Sequence, residues 1–171
     1  EKANIYIDDT PGLEAVELRS RARRMKNRNG VGLIVIDYLQ LMNYGKFSRD
    51  GRQRETMAIS GAIKAMAKEL KVPVIVLSQL SRATEGRGDN FPKLSDLRDS
   101  GAIEQDADIV MLLYRPSYYQ QGDDRNLDNL AILDVAKYRH GSTGRVRMSF
   151  QREFTRFEDR NEEDDEFNEQ E

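Results

Sequence analysis

Two stretches decide the fold: Gly32-Leu33-Ile34-Val35-Ile36-Asp37 and Pro73-Val74-Ile75-Val76-Leu77-Ser78-Gln79. Each is an unbroken aliphatic run that stops abruptly at a polar side chain. A strand with one wet face alternates apolar and polar residues, so runs without alternation predict strands covered on both faces of a mostly parallel sheet. Between them lie a polar, glycine-containing loop from Asn43 to Arg52 and an amphipathic helix marked by Ile59, Ile63, Met66, Ala67 and Leu70. Strand, helix and strand make a βαβ unit, with Pro73 tolerated at the start of the second strand. In open parallel sheets ligands gather beyond the carboxyl ends of the strands, where Asp37 and Gln79 then sit. Pattern alone leaves two readings. In one, the aspartate orients water around a magnesium ion and the glutamine senses a terminal phosphate. In the other, Asp37 caps the following helix and Gln79 is an ordinary loop residue.

Outward toward the N-terminus, Asn4-Ile5-Tyr6-Ile7 reads as a short strand and Asp8-Asp9-Thr10-Pro11-Gly12 as turn and helix-cap chemistry. Leu13, Val16, Leu18, Ala22 and Met25 form the apolar stripe of a helix ending at Asn29-Gly30, where glycine takes the left-handed cap. The opposite face carries Arg19, Arg21, Arg23, Arg24, Lys26 and Arg28, either a solvated face or one that meets phosphate or a partner. In the other direction, the polar segment from Ser81 to Lys93 reads as an exposed, mobile loop. Ser95 and Asp96 are placed to cap a short helix through Gln105, and Ile109 to Leu113 reads as a third strand of the buried type. Leu130 to Ala136 and Val146 to Phe150 suggest later strands joined through a Gly141-Ser142-Thr143-Gly144 turn.

Composition bounds the function. The 171 residues suit one domain with a tail, and there is no cysteine and only one histidine, His140. Disulfide frameworks, cysteine-ligated metals and a histidine zinc site are therefore excluded. No apolar stretch approaches the roughly 20 residues needed to cross a bilayer, so a soluble, cytoplasmic protein with no membrane partner is expected. The chain starts at Glu1 with no basic-plus-apolar leader and reads as part of something longer. From Glu158 to Glu171 there are 9 acidic residues and 1 basic, which leaves 26 basic against 21 acidic in the remainder. The body is mildly basic, which permits nucleic-acid binding, and 158–171 is expected to be a disordered acidic tail.

Three segments carry a resemblance. Gly32 to Met42 (GLIVIDYLQLM) resembles the Walker B segment of DnaB-type replicative helicases, and Pro73 to Arg82 (PVIVLSQLSR) is similar to that family's next helicase motif. Ser95 to Asp108 (SDLRDSGAIEQDAD) is similar to its DNA-contacting loop and following helix. The resemblance runs from about Asn4 to about Phe157, taking 1–157 as a RecA-like motor domain with helices on both faces of a mostly parallel sheet. It implies ATP and Mg2+ as cofactors, with Asp37 the magnesium-associated carboxylate and Gln79 the phosphate sensor. It makes Arg98, Asp99 and Gly101 the DNA contacts, which suits a motor that grips backbone phosphates without reading bases. Ala136-Lys137-Tyr138-Arg139-His140-Gly141 resembles the family's Lys-x-Arg element. Arg139 would then be an arginine finger, assisted by Lys137, acting on a neighbouring subunit's nucleotide. The implied assembly is a homo-hexamer around single-stranded DNA, with primase and a helicase loader as partners through other parts of the protein.

Departures from the family pattern are equally informative. His140 stands where the family has asparagine and is expected to be a turn-surface residue, while Gly61 stands where the family usually carries arginine. No Gly-x-x-x-x-Gly-Lys-[Ser/Thr] occurs, and Gly45-Lys46 is followed by Phe47. Without that phosphate-binding loop the backbone cradle for a triphosphate is missing, so this chain alone is expected to be inactive. The resemblance also puts the absent P-loop strand inside the sheet, between the strand ending at Gln79 and that of Asp108 to Tyr114, leaving two edges and apolar surface open. Two other functions fit the same residues: a RecA-like recombination or repair ATPase, and a P-loop-deficient, non-catalytic module that binds DNA or a helicase ring.

Overall fold

The computed structural model describes residues 4–45, 51–81, 90–119 and 129–160. The chain divides into two units, one of residues 1–80 and 97–106, the other of 81–96 and 107–171.

In the first unit, helix α1 (Ala15–Asn29) ends as expected, with Gly30 at φ 65° and its N–H donating to the Lys26 carbonyl. Strand β1 (Ile34–Ile36) pairs in parallel with β2 (Val74–Val76), the partners being Ile34 with Val74, Val35 with Ile75 and Ile36 with Val76. The crossover helix α2 (Arg52–Leu70) buries Ile59, Ile63, Met66 and Leu70, four of the five stripe residues read from the sequence; Ala67 is half-buried. These side chains meet Ala15 and Ala22 of α1, Ile36 of β1, and Leu39 and Met42 beyond it. A short helix, α3 (Gly101–Asp106), joins this unit: Ile103 packs on the core and the Ser60 hydroxyl donates to Asp106 Oδ2 at 2.7 Å. Before it, Leu94–Ser100 is a 3-10 turn rather than α-helix. Asp96 caps the entry by reaching back to accept the Lys93 N–H at 2.7 Å.

The second unit is an antiparallel sheet in the order β3-β4-β5-β6. Its strands are β3 (Ile109–Tyr114), β4 (Leu130–Tyr138), β5 (Gly144–Gln151) and β6 (Arg156–Asp159). A single turn, α4 (Pro116–Tyr119), follows β3. Among the described residues, parallel strand pairing is thus confined to β1 and β2, beside one isolated parallel bridge between Glu14 and Asn43. Short reversals such as the one between β4 and β5 can only join antiparallel neighbours, so the sheet character changes here. The aromatic rings of Phe150 and Phe157, 4.8 Å apart, hold β6 to β5.

Four expectations are corrected. Asn4 to Ile7 forms no strand; Ile5 and Ile7 are exposed, and with no neighbouring edge to pair with among the described residues, a β-prone run makes no ladder. Asp8, Asp9 and Thr10 do not cap α1, whose first turn follows Glu14 without a side-chain cap; Asp8 instead binds Arg21. The basic face of α1 is neither merely solvated nor open to phosphate along its length. Arg19 and Arg23 both bind Glu69 of α2, and Lys26 donates to the Leu70 carbonyl. The aliphatic runs are covered on one face only among the described residues. Val35, Ile75 and Leu77 are about half exposed, and β3 alternates buried Val110 and Leu112 with exposed Ile109, Met111 and Leu113. Of the expected mobile loop, 82–89 lies outside the described residues. So does the acidic tail apart from 158–160, whose first two residues finish β6.

Candidate functional site

The parallel register places Asp37 and Gln79 at the same end of the β1–β2 pair. Ile36 lies opposite Val76, and the ladder runs on beyond both strands: Leu77 N–H donates to the Ile36 carbonyl and Leu39 N–H to the Leu77 carbonyl, each at 2.9 Å. Asp37 occupies the bend after β1, is exposed, and is joined to Tyr38 by a cis peptide. Gln79 lies three residues past β2 and is also exposed. Both side chains therefore face solvent at the carboxyl edge of a parallel pair, where a bound ligand would meet them.

Gln40, to which the sequence reading gave no role, joins the two strand ends. It lies in the 3-10 turn Leu39–Leu41. Its Oε1 accepts the Gln79 N–H at 3.2 Å, and its Nε2 donates to the Gln79 carbonyl at 3.2 Å and to Ser78 Oγ at 3.0 Å. Arg52, at the start of α2, donates to the Gln40 carbonyl at 2.5 Å and to Glu55 Oε2 at 2.7 Å. Glu55 is buried, and its other oxygen accepts the Tyr44 N–H at 2.9 Å. That backbone bond first, and Arg52 second, hold the Glu55 carboxyl below its ordinary value against the opposing effect of burial. A lone glutamine in the apolar run Leu39-Gln40-Leu41-Met42 was the available signal.

Arg98 and Asp99 lie in the last part of the Leu94–Ser100 turn, and Gly101 opens α3. A Cβ at Gly101 would meet nothing within 4 Å, and the residue is exposed, so its backbone is approachable from solvent. These three share the first unit with Asp37 and Gln79.

Lys137 and Arg139 belong to the second unit. Lys137 is half-buried on β4, opposite Val110. Two residues on, Arg139 is exposed; its N–H donates to the Asp108 carbonyl at 2.8 Å and its guanidinium approaches the Asp108 carboxylate at 3.9 Å. The backbone is thereby fixed while the long cationic side chain stays at the surface. His140 is exposed in the turn, and a Cβ at Gly141 would fit only if the Tyr138 ring moved aside. Among the described residues no group of three or more carboxylates or histidines could hold a metal ion. No helix among them is long and apolar enough to cross a membrane.

Solved structures define the class. One solved ATPase domain superposes with a TM-score of 0.84 at 41% identity, covering 92% of this chain and 55% of that one. A structure of a DnaB-like replicative helicase and its interactions with primase gives 0.85 at 42% identity, covering 92% of this chain and 38% of that one. The fold is that of the RecA-like ATPases. More particularly, residues 1–159 match the DnaB-like helicase C-terminal domain, and the chain belongs to that family. It is 50% identical over 155 residues to the replicative DNA helicase DnaB of Geobacillus stearothermophilus, covering 91% of this chain and 34% of that protein. To the replicative DNA helicase DnaC of Bacillus subtilis (strain 168) it is 49% identical over 157 residues, covering 91% and 34%. The chain spans about a third of the length of these curated relatives.

Proposed function

We propose that the chain through β6 is part of the motor of a hexameric replicative helicase that couples ATP hydrolysis to movement along single-stranded DNA and to duplex unwinding, and that the acidic residues after Asp159 form a tail. The observation that carries this reading is the shared carboxyl edge of β1 and β2, which puts the Asp37 carboxylate and Gln79 at one ligand-facing end of a DnaB-family chain. In this reading Asp37 orients the shell of a magnesium ion and Gln79 meets the terminal phosphate. The residues present supply only that side of an ATP site, since the sequence contains no Gly-x-x-x-x-Gly-Lys-[Ser/Thr] to cradle the triphosphate. Arg98, Asp99 and Gly101 contact DNA, with the Arg98 guanidinium and the Gly101 backbone N–H meeting phosphates, and exposure of the Gly101 backbone supports that role. Arg139 reaches a neighbouring subunit's nucleotide, with Lys137 beside it. An exposed guanidinium on a firmly bonded backbone suits a group that must swing onto another surface. Primase and a loader are the partners proposed for the complete protein, and the cytoplasm is its proposed location.

The alternative is a non-catalytic DNA- or ring-binding module. ATP turnover by the complete gene product, with and without single-stranded DNA, separates the two. DNA-stimulated turnover together with separation of a forked duplex is expected. DNA binding without turnover would establish the non-catalytic module instead.

A further inference from the structure

We propose that Gln40 is a positioning residue that fixes Gln79 by extending the parallel ladder with its side chain. This rests on the reading of Gln79 as the phosphate sensor. The last backbone rung is the Leu39 N–H on the Leu77 carbonyl; the Leu39 carbonyl then turns inward to accept the Met42 N–H of the 3-10 turn, so no backbone rung is left for Gln79. A primary amide carries a carbonyl acceptor and an N–H donor in one plane, the same pair a neighbouring strand presents. Gln40 uses both, accepting the Gln79 N–H and donating to the Gln79 carbonyl, each at 3.2 Å. Its amide orientation is unambiguous, because only oxygen can accept from the Gln79 N–H and only nitrogen can donate to the Gln79 carbonyl. The remaining Nε2 contact, with Ser78 Oγ at 3.0 Å, bonds the preceding residue as well.

The consequence falls on Gln79. With both backbone groups held by another side chain, its own amide is free of any structural duty and is left exposed at the carboxyl edge. Gln40 is itself anchored, since Arg52 donates to its carbonyl and is held in turn by buried Glu55. The sensor backbone is thus tied through Gln40 to the first turn of α2. None of these anchoring bonds uses the Gln40 side chain, so truncating it removes the clamp and leaves the anchor.

The test compares Gln40→Ala, Gln79→Ala and the double variant in the complete gene product, assembled with single-stranded DNA. For Gln40→Ala we expect kcat to fall about tenfold to a hundredfold, since misplacing a reacting group by about 1 Å costs up to 10²-fold. The KM for ATP should not change, and the melting temperature should fall by only about 2–4 °C, since water replaces the lost hydrogen bonds at this edge. Because Gln40 acts through Gln79, the double variant should be no slower than Gln79→Ala alone. Gln40→Glu keeps an oxygen for the Gln79 N–H but sets a second carboxylate oxygen against the Gln79 carbonyl, so its turnover should also fall below the parent's. Additive losses in the double variant, or full turnover by Gln40→Ala while Gln79→Ala is impaired, would overturn the clamp alone. Full turnover by Gln79→Ala would overturn the sensor reading and the clamp together.

Discussion

Val35 and Ile75 sit opposite each other on β1 and β2, and both are about half exposed. Leu33 and Leu77, of the same parity, extend this open apolar face along the pair. An aliphatic patch of that kind is a surface that another element covers in a working protein. The perturbation is Val35→Thr with Ile75→Thr, which keeps β-branching and adds a hydroxyl at each position. In the chain as described these hydroxyls reach water, so each change should shift stability by no more than about 0.5 kcal/mol. Self-association, followed by sedimentation, should decrease. If the complete gene product covers the face, each hydroxyl is buried without a partner at about 1–3 kcal/mol. Ile75 also gives up burial worth about 0.8 kcal/mol per methylene. Together the pair should cost the complete protein about 3–7 kcal/mol in urea denaturation, a loss absent from the short chain. A complete protein that tolerates both changes within about 1 kcal/mol, or a 171-residue chain that is monomeric with a sharp cooperative melt, would refute the covered-face argument.

Glu55→Gln should weaken the anchor beneath Gln40, costing about 1–2 kcal/mol at neutral pH because one acceptor loses its charge. The folded Glu55 carboxyl lies below its ordinary value of 4.5, so its stabilisation is complete above about that pH and is lost as pH falls through the lower folded value. The difference between parent and variant, measured by denaturation across pH, should therefore shrink in acid; a constant difference would contradict the assignment. Gly30→Ala meets no steric obstacle but forces a Cβ into the left-handed region at φ 65°, and about 1 kcal/mol of destabilisation is expected by the same measurement.

Much of this was legible because period and punctuation are local. The βαβ unit, the buried stripe of α2 and the glycine cap of α1 follow from side-chain spacing and from a residue that takes positive φ readily. The same locality explains the misses. An aliphatic run reports what a strand requires around it, not what the described residues supply, so the pattern predicts cover over Val35 and Met111 that those residues do not give. Asn4 to Ile7 has strand character but no described edge to pair with. The destination of the α1 arginines depends on Glu69, 46 residues from Arg23, a separation no local pattern reveals. Strand β6 escaped notice because Arg156, Glu158 and Asp159 mask the one aromatic, Phe157, that packs on Phe150. At the site, the strand ends pointed to Asp37 and Gln79. Gln40 was hidden because its partners, Ser78 and Gln79, lie about 40 residues away and meet it only through the register of β1 on β2.

The central claim is a motor whose chemistry is shared between subunits, with Asp37 at one subunit's site and Arg139 supplied by the next. Its most direct test mixes subunits of the complete gene product carrying Asp37→Asn with subunits carrying Arg139→Ala, measuring DNA-stimulated ATP turnover. Each variant alone should form rings and lose most turnover, by about 10³-fold for the missing finger. Melting of each variant beside the parent checks that folding is spared; the exposed ion pair of Arg139 with Asp108, at 3.9 Å, is worth at most about 1 kcal/mol of it. In mixed rings about one interface in four joins an intact Asp37 to an intact Arg139, so turnover should reappear well above either variant alone. Mixed rings as inactive as their components would contradict the shared site.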